Sequence, residues 1–206
     1  MLTVDLVKSA LRRLPPVDHP PGPERSRAGV ALILAGPTHE LSICFMQRVA
    51  RTGDRWSGDI ALPGGWARVD ELRLRDTAIR ETREEVGIRL DPDQHLGDLP
   101  AVDIVRGRGS DVTTTGIVGP SVFYVGSALP SLEMDPGEVA DAFWLRCAHL
   151  YTSGNLTSLC RPGAPVARPA VRVDHRVIWG LTYRVLVRFS DLVLGEQSPL
   201  IPDSPG

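Results

Sequence analysis

Only three of the 206 residues are cysteine, and Cys44, Cys147 and Cys160 lie far apart. With no Cys-x-x-Cys pair and no Cys/His cluster, the chain carries neither a zinc motif nor a disulfide framework. Aromatic residues are scarce, at 5%. No run approaches the roughly 20 apolar residues of a membrane span. The opening MLTVDLVKSALRRL interleaves charges with its apolar residues, unlike the unbroken core of a secretory signal. Neither sign of charge is in excess: 23 Lys+Arg face 25 Asp+Glu, for a net charge of -2. That balance argues against nucleic acid and against a membrane surface as partners. A cytoplasmic location is the expectation. What the chain does have is ordinary globular content, 42% hydrophobic, and enough length to bury a core. Its 20 glycines and 18 prolines imply many turns and long loops.

Val4, Val7, Leu11 and Leu14 recur at helical spacing and predict a short amphipathic helix over 3–13. PPVDHPPGPERS, with five prolines, then reads as a linker. GVALILAG (29–36) and LSICFMQRV (41–49) read as a β-hairpin with a buried face. Residues 51–70 read mostly as loop, and a helix is expected from about Leu72 to Val86, capped by Gly87. Strands are expected at 96–105, 121–129 and 142–147, loops at 106–116 and 153–170, and a last helix over 177–192. The division is an N-terminal helix and Pro-rich linker (1–27), a core (28–150), and a basic loop, C-terminal helix and tail of the same domain (151–206). Strands in the middle with helices at intervals point to an α+β sandwich. The first helix either caps this domain or reaches a second subunit, so a homodimer belongs among the expected assemblies.

The most informative stretch is LPGGWARVDELRLRDTAIRETREEVGI (62–88). Glu81, Glu84 and Glu85 are spaced i, i+3 and i+4 and share one helix face. At about 100° per residue, with Leu72 at zero, they fall near 120–220°, while Ile79, Thr82 and Val86 fall near 280–340°. The apolar stripe can dock on a sheet with the carboxylates along its flank. Three clustered carboxylates repel one another unless a cation intervenes, and a hard divalent ion takes oxygen ligands. The alternative is a solvated acidic face partnered by Arg80, Arg83 and Arg89. Gly64-Gly65 just upstream permits a close backbone approach to an ion or a phosphate.

These residues resemble the Nudix box. Gly65, Glu71, Arg80-Glu81, Glu84-Glu85, Gly87 and Ile88 match in type and order. One residue too many separates Glu71 from Arg80, so Asp70 competes for the first acidic position, and Thr82 stands where an aliphatic is usual. The hairpin before the box and EVADAFWL (138–145) after it extend the likeness over roughly residues 28–150. The resemblance implies a Nudix-type α/β/α sandwich with a mixed β-sheet. It implies hydrolysis of a nucleoside diphosphate linked to another moiety, with Mg²⁺ or Mn²⁺ as cofactor and a small-molecule nucleotide diphosphate as substrate. Glu81, Glu84 and Glu85 are then the metal carboxylates, with the Gly65 carbonyl as a further ligand. Arg80 orients a carboxylate, and Glu138, in a DPGE turn, is the outside candidate for taking a proton from water. Substituting Glu84 with Gln is expected to remove most turnover and leave the fold intact.

RWSGDIALPGG (55–65) further resembles coenzyme A pyrophosphatases, with Leu62 replacing a Phe, as does HRVIWGLTYRVL (175–186). That likeness implies coenzyme A or its thioesters, cleaved to 3′,5′-ADP and 4′-phosphopantetheine. The substrate-binding candidates are Arg48, Trp56, Gly64, Trp66, Arg106 and Arg108. Arginines 161, 168, 172, 176, 184 and 188 form a basic stretch suited to phosphate. Trp56 and Trp66 could stack on an adenine, whereas Trp144 and Trp179 are expected in the core, and the five histidines are read as structural. The alternatives are a pyrophosphohydrolase of ADP-ribose, a nucleotide sugar or a (d)NTP, and, outside enzymes, a nucleotide-sensing Nudix-fold binding module.

Overall fold

The computed structural model describes residues 2–15, 26–54, 56–106, 113–160 and 167–200. The larger part of the expected linker lies outside them, as do Arg108 and Arg161.

Helix α1 (Val4–Leu11) opens the chain, with the Thr3 hydroxyl accepting from the Leu6 amide as its cap. Strands β1 (Ser26–Ala35) and β2 (Ser42–Arg48) follow. Each is buried at consecutive rather than alternate positions, over 31–35 in β1 and 42–46 in β2, because both faces of the sheet are covered. Ala31, Ile33, Cys44 and Met46 belong to one core cluster, and Leu32, Leu34, Ile43 and Phe45 to the other. The hairpin expected to bury one face thus buries two. Helix α2 (Leu74–Val86) closes the first cluster with Ala78 and Val86. Helices α1 and α4 (Gly180–Leu194) close the second.

The main sheet is mixed. β1 pairs with β2 only near Leu34↔Ile43, and lower down the two strands part. There β3 (Ile60–Ala61) pairs with β2, and β4 (Gly64–Trp66) pairs with β1 at Ala28↔Trp66, Gly29↔Gly65 and Val30↔Gly64. β5 (His95–Asp98) and β6 (Val102–Arg106) run antiparallel to β7 (Thr113–Tyr124), which lies parallel to β1. β8 (Val139–Arg146) pairs with β2 on the far side. After the single turn α3 (Cys147–Leu150), a separate antiparallel sheet forms from β9 (Leu156–Leu159), β10 (Arg168–Val173) and β11 (Arg176–Trp179).

Several expectations are corrected. The loop at 51–70 contains β3 and β4. The strand at 96–105 is two strands, interrupted at Leu99–Ala101. β7 begins at Thr113, inside the expected loop 106–116, and ends at Tyr124, short of residue 129. The loop at 153–170 and the start of the helix over 177–192 contain β9, β10 and β11. Strands of two to six residues take their stability from sequence-distant partners, so their own pattern carries little signal. α1 packs on α4 and β5, so it caps its own domain. Among the described residues no helix is long and apolar enough to cross a membrane.

The box departure at Thr82 has a measurable cost. Thr82 is fully buried in α2, and its hydroxyl has no hydrogen-bond partner. A buried hydroxyl left unpaired costs about 1–3 kcal/mol, and valine has the same shape without it. Thr82→Val should therefore stabilise the fold by about 1 kcal/mol in urea unfolding; a loss of stability would show that a partner had been removed.

Candidate active site

Helix α2 presents its carboxylates at graded depth. Glu85 is 2% exposed, Glu81 is half-buried, and the Glu84 side chain is 49% exposed. Glu85 survives burial because the Gly64 amide donates to its Oε2 at 2.8 Å. Burial nevertheless pushes its pKa up to about 8, and burial also raises that of Glu81. Glu138 comes from the turn before β8 and is fixed through its backbone: Val49 N–H donates to its carbonyl and Arg51 donates to the Gly137 carbonyl. Carboxylate oxygens of Glu81, Glu85 and Glu138 lie within 4.8 Å of one another. Glu84 is not in this group. It binds guanidinium groups instead, accepting from Arg80 Nη1 at 2.9 Å and from Arg68 Nη2 at 3.4 Å.

Arg80 organises the helix flank. Its Nε donates to Glu71 Oε1 at 2.7 Å, and its Nη1 donates to Glu81 Oε1 at 2.6 Å and to Glu84. It also donates to the Trp66 carbonyl at 3.2 Å. One guanidinium thus fixes three carboxylates and the strand beside them. Glu71, not Asp70, fills the first acidic position of the box: it also accepts from Thr77 Oγ1 and from the Arg68 amide, each at 2.8 Å. Helix α2 starts at Leu74, two residues later than the expected Leu72.

Gly65 is required by proximity. A Cβ there would stand 2.5 Å from the Glu81 carboxyl carbon. Gly65→Ala should therefore displace the Glu81 carboxylate, which sits on a flexible side chain, without unfolding the sheet. Divalent-cation uptake should weaken by 10–100-fold, the scale for disturbing a ligand's support, with Tm nearly unchanged. Wild-type uptake by a folded variant would remove the glycine's role.

The carboxylates open onto a cleft of about 750 Å³ where β1 and β2 part. Arg48, Trp56, Gly64 and Trp66 line it together, as four of the six substrate-binding candidates. Trp56 and Trp66 meet edge to face, 6.2 Å between ring centres. Arg48 donates to Asp54 at 3.0 Å while its buried Nε is unpaired. Arg106 ends β6, and Arg108 lies outside the described residues. The basic stretch is divided: Arg168 and Arg184 line the cleft, Arg176 pairs with Asp141 at 2.5 Å over the Phe143 ring, and Arg172 and Arg188 are exposed. Trp144 packs against the α2-side core as expected. Trp179 does not: it lines the cleft, its Nε1 donating to Asp59 at 3.1 Å. Sequence reasoning missed Trp179 and Arg51, since an apolar run reads as core and a loop arginine carries no pattern. Of the histidines, His95 bridges Arg75 and Asp98 at 3.0 and 2.9 Å, a link between α2 and β5.

The donor set is all oxygen and partly desolvated, which fits Mg²⁺ or Mn²⁺ and not a soft-ligand metal. Oxygen ligands beside a glycine turn and an arginine-bearing cleft describe a class of phosphate-handling metal sites. Residues 25–167 match the NUDIX domain, and the chain belongs to that family. It is 31% identical over 148 residues to the mitochondrial coenzyme A diphosphatase NUDT8 of Mus musculus, covering 68% of this chain and 65% of that one. It is 33% identical over 151 residues to the Homo sapiens protein of the same name, covering 68% and 58%. Each match therefore spans less than two thirds of the relative's own length. The fold is shared with a MutT/nudix family protein from Enterococcus faecalis, at TM-score 0.59 and 15% identity over 94% of this chain and 75% of that one.

Proposed function

We propose that the chain hydrolyses the diphosphate bond of a nucleoside diphosphate derivative, and that its substrates are coenzyme A and coenzyme A thioesters. The observation carrying this reading is the meeting of Glu81, Glu85 and Glu138 within 4.8 Å on the wall of a cleft that also holds Arg48. Glu81, Glu85, Glu138 and the Gly65 carbonyl are the residues to hold Mg²⁺ or Mn²⁺. When bound, the ion supplies Lewis-acid stabilisation of charge on the phosphate oxygens and makes water more acidic. Glu84, tied to Arg80, supports the flank. Arg48 neutralises phosphate charge, and Trp56 and Trp66 offer stacking faces for the base. Glu138 is exposed and takes a proton from water as the water oxygen bonds to phosphorus. The bond from phosphorus to the bridging oxygen breaks, and the products separate as two phosphate monoesters, 3′,5′-ADP and 4′-phosphopantetheine.

The 31% and 33% identities to proteins named coenzyme A diphosphatase favour this substrate over ADP-ribose, nucleotide sugars and (d)NTPs. Cys44 and Cys147 are buried thiols, which suits the reducing cytoplasm, where we place the reaction. Chromatography of reaction mixtures with each of these compounds and Mg²⁺ or Mn²⁺ tests the reading. Release of 3′,5′-ADP and 4′-phosphopantetheine, fastest with coenzyme A or a thioester, is expected. Faster cleavage of another diphosphate would move the substrate assignment, and tight binding with no cleavage would make the chain a sensor.

A further inference from the structure

The segment from Ala67 to Arg73 joins β4 to α2 and carries Glu71, yet little holds it by packing. Val69 and Leu72 are exposed, as are Arg68, Asp70 and Arg73. Arg73, at the N-cap of α2, makes no side-chain cap hydrogen bond. A loop without buried apolar side chains takes its shape from polar contacts. Both ends of this one close on a single residue of β1. The Arg27 carbonyl accepts from the Ala67 amide at 2.8 Å, and the Arg27 guanidinium donates to the Leu72 carbonyl at 2.8 Å and to the Glu71 carbonyl at 3.4 Å. Gly29 follows two residues on, along the same face of the strand. A Cβ there would stand 1.9 Å from the Leu74 carbonyl oxygen, so α2 begins directly against β1.

We propose that Arg27 is a positioning residue for the cation site: it fixes Glu71, and through Glu71 it aims Arg80 at Glu81. The inference rests on the reading of Glu81 as a cation ligand and adds what orients that carboxylate from outside its own helix. The Glu71 carboxylate accepts from Arg80 Nε at 2.7 Å and from Nη2 at 3.2 Å, while Arg80 Nη1 donates to Glu81 Oε1 at 2.6 Å. A guanidinium is a rigid plane, so turning the edge that meets Glu71 moves the donor that meets Glu81. Without the Arg27 side chain, the backbone carbonyls of Glu71 and Leu72 lose their donor and the loop end shifts. The Glu71 carboxylate then moves on its partners, and the Arg80 plane turns with it. Helix α2 itself stays in place, because Leu74, Ala78 and Val86 remain buried.

The Arg80 Nε–H resonance in a proton–nitrogen correlation spectrum of the metal-free chain tests this without turnover, assigned by its absence from Arg80→Lys. In the wild type it should stand apart from the position of a solvated arginine, because its proton lies on a carboxylate. Arg27→Met should move it towards that position or broaden it, and Arg27→Lys, which keeps a donor, should restore part of the shift. The dissociation constant for Mn²⁺ should rise about tenfold in Arg27→Met, the scale for disturbing a ligand's support. Glu71→Gln should weaken Mn²⁺ uptake too, and the double variant should lose no more than the worse single one, because both act along one route. Thermal melts identify any variant that fails to fold, in which case Arg27→Gln and Arg27→Lys carry the comparison. An unmoved resonance in a folded Arg27→Met chain, or losses of Mn²⁺ affinity that add in the double variant, overturns the positioning role. The two readings fail separately. A wild-type chain that takes up no Mn²⁺ removes the cation reading and leaves the tie from Arg27 to Arg80 to be decided by the resonance; wild-type uptake by a folded Arg27→Met chain removes the role of Arg27 and leaves the cation site.

Discussion

Replacing Glu85 with glutamine should lower kcat/KM for the diphosphate substrate by a factor on the order of 10³ while leaving the fold in place. Glutamine has the same shape and still accepts the Gly64 amide hydrogen bond, so the backbone at the site is kept. What is lost is one negative charge among three carboxylates gathered within 4.8 Å. Electrostatic stabilisation at such a centre amounts to several kcal/mol, and about 1.36 kcal/mol is a factor of ten in rate. Without the ion, burial already holds Glu85 largely protonated near neutrality, so glutamine replaces a neutral group of the same shape and Tm should be little changed. Glu84→Gln serves as the contrast. Read from sequence, Glu84 is expected to be as important as its neighbours; its half-exposed place on Arg68 and Arg80 lowers that to the 10–100-fold of a supporting partner. Steady-state kinetics of both variants at saturating Mn²⁺ would decide, and a larger loss from Glu84→Gln than from Glu85→Gln would reverse the assignment.

Arg80→Met should cost about 3–5 kcal/mol of stability at neutral pH, the range for leaving partners of a buried ion pair uncompensated. Arg80 is 17% exposed and is the shared donor to Glu71, Glu81 and Glu84. The effect has a pH signature. The hydrogen bond from Arg80 holds the Glu71 carboxyl down from its ordinary 4.5 to about 2 in the folded chain. A folded pKa below the unfolded one gives stability that is present above pH 4.5 and is lost as pH falls towards 2. The gap in unfolding free energy between wild type and Arg80→Met, measured by urea titration, should therefore be widest near neutrality and shrink between pH 4.5 and pH 2. A gap independent of pH would mean that Arg80 acts by packing alone.

The carboxylate helix was legible because its periodicity is local. On a helical wheel at about 100° per residue, Glu85 borders the apolar stripe near Ala78, Glu81 is next, and Glu84 is farthest; their burial follows that order. Gly87 ends the helix with φ of 74° as a C-cap glycine should. Glu138 was legible as an acid in a tight turn before a strand. The cleft itself was not. It exists because β1 leaves β2 and takes β4 as partner, a choice of pairing between segments more than thirty residues apart. Its far wall is built from β10, β11 and α4, whose start at Gly180 hides inside the apolar run RVIWGL. Trp179 therefore reads as core from its neighbours, and only the fold turns it to the cleft.

The central claim is that Glu81, Glu85 and Glu138 together hold a divalent cation. Electron paramagnetic resonance of free Mn²⁺, titrated into the protein with and without 3′,5′-ADP, measures this directly. Uptake by the wild-type chain that is lost in Glu85→Gln and retained in Arg172→Gln is the predicted result. A wild-type chain that leaves all of the Mn²⁺ free, even with nucleotide present, would contradict it.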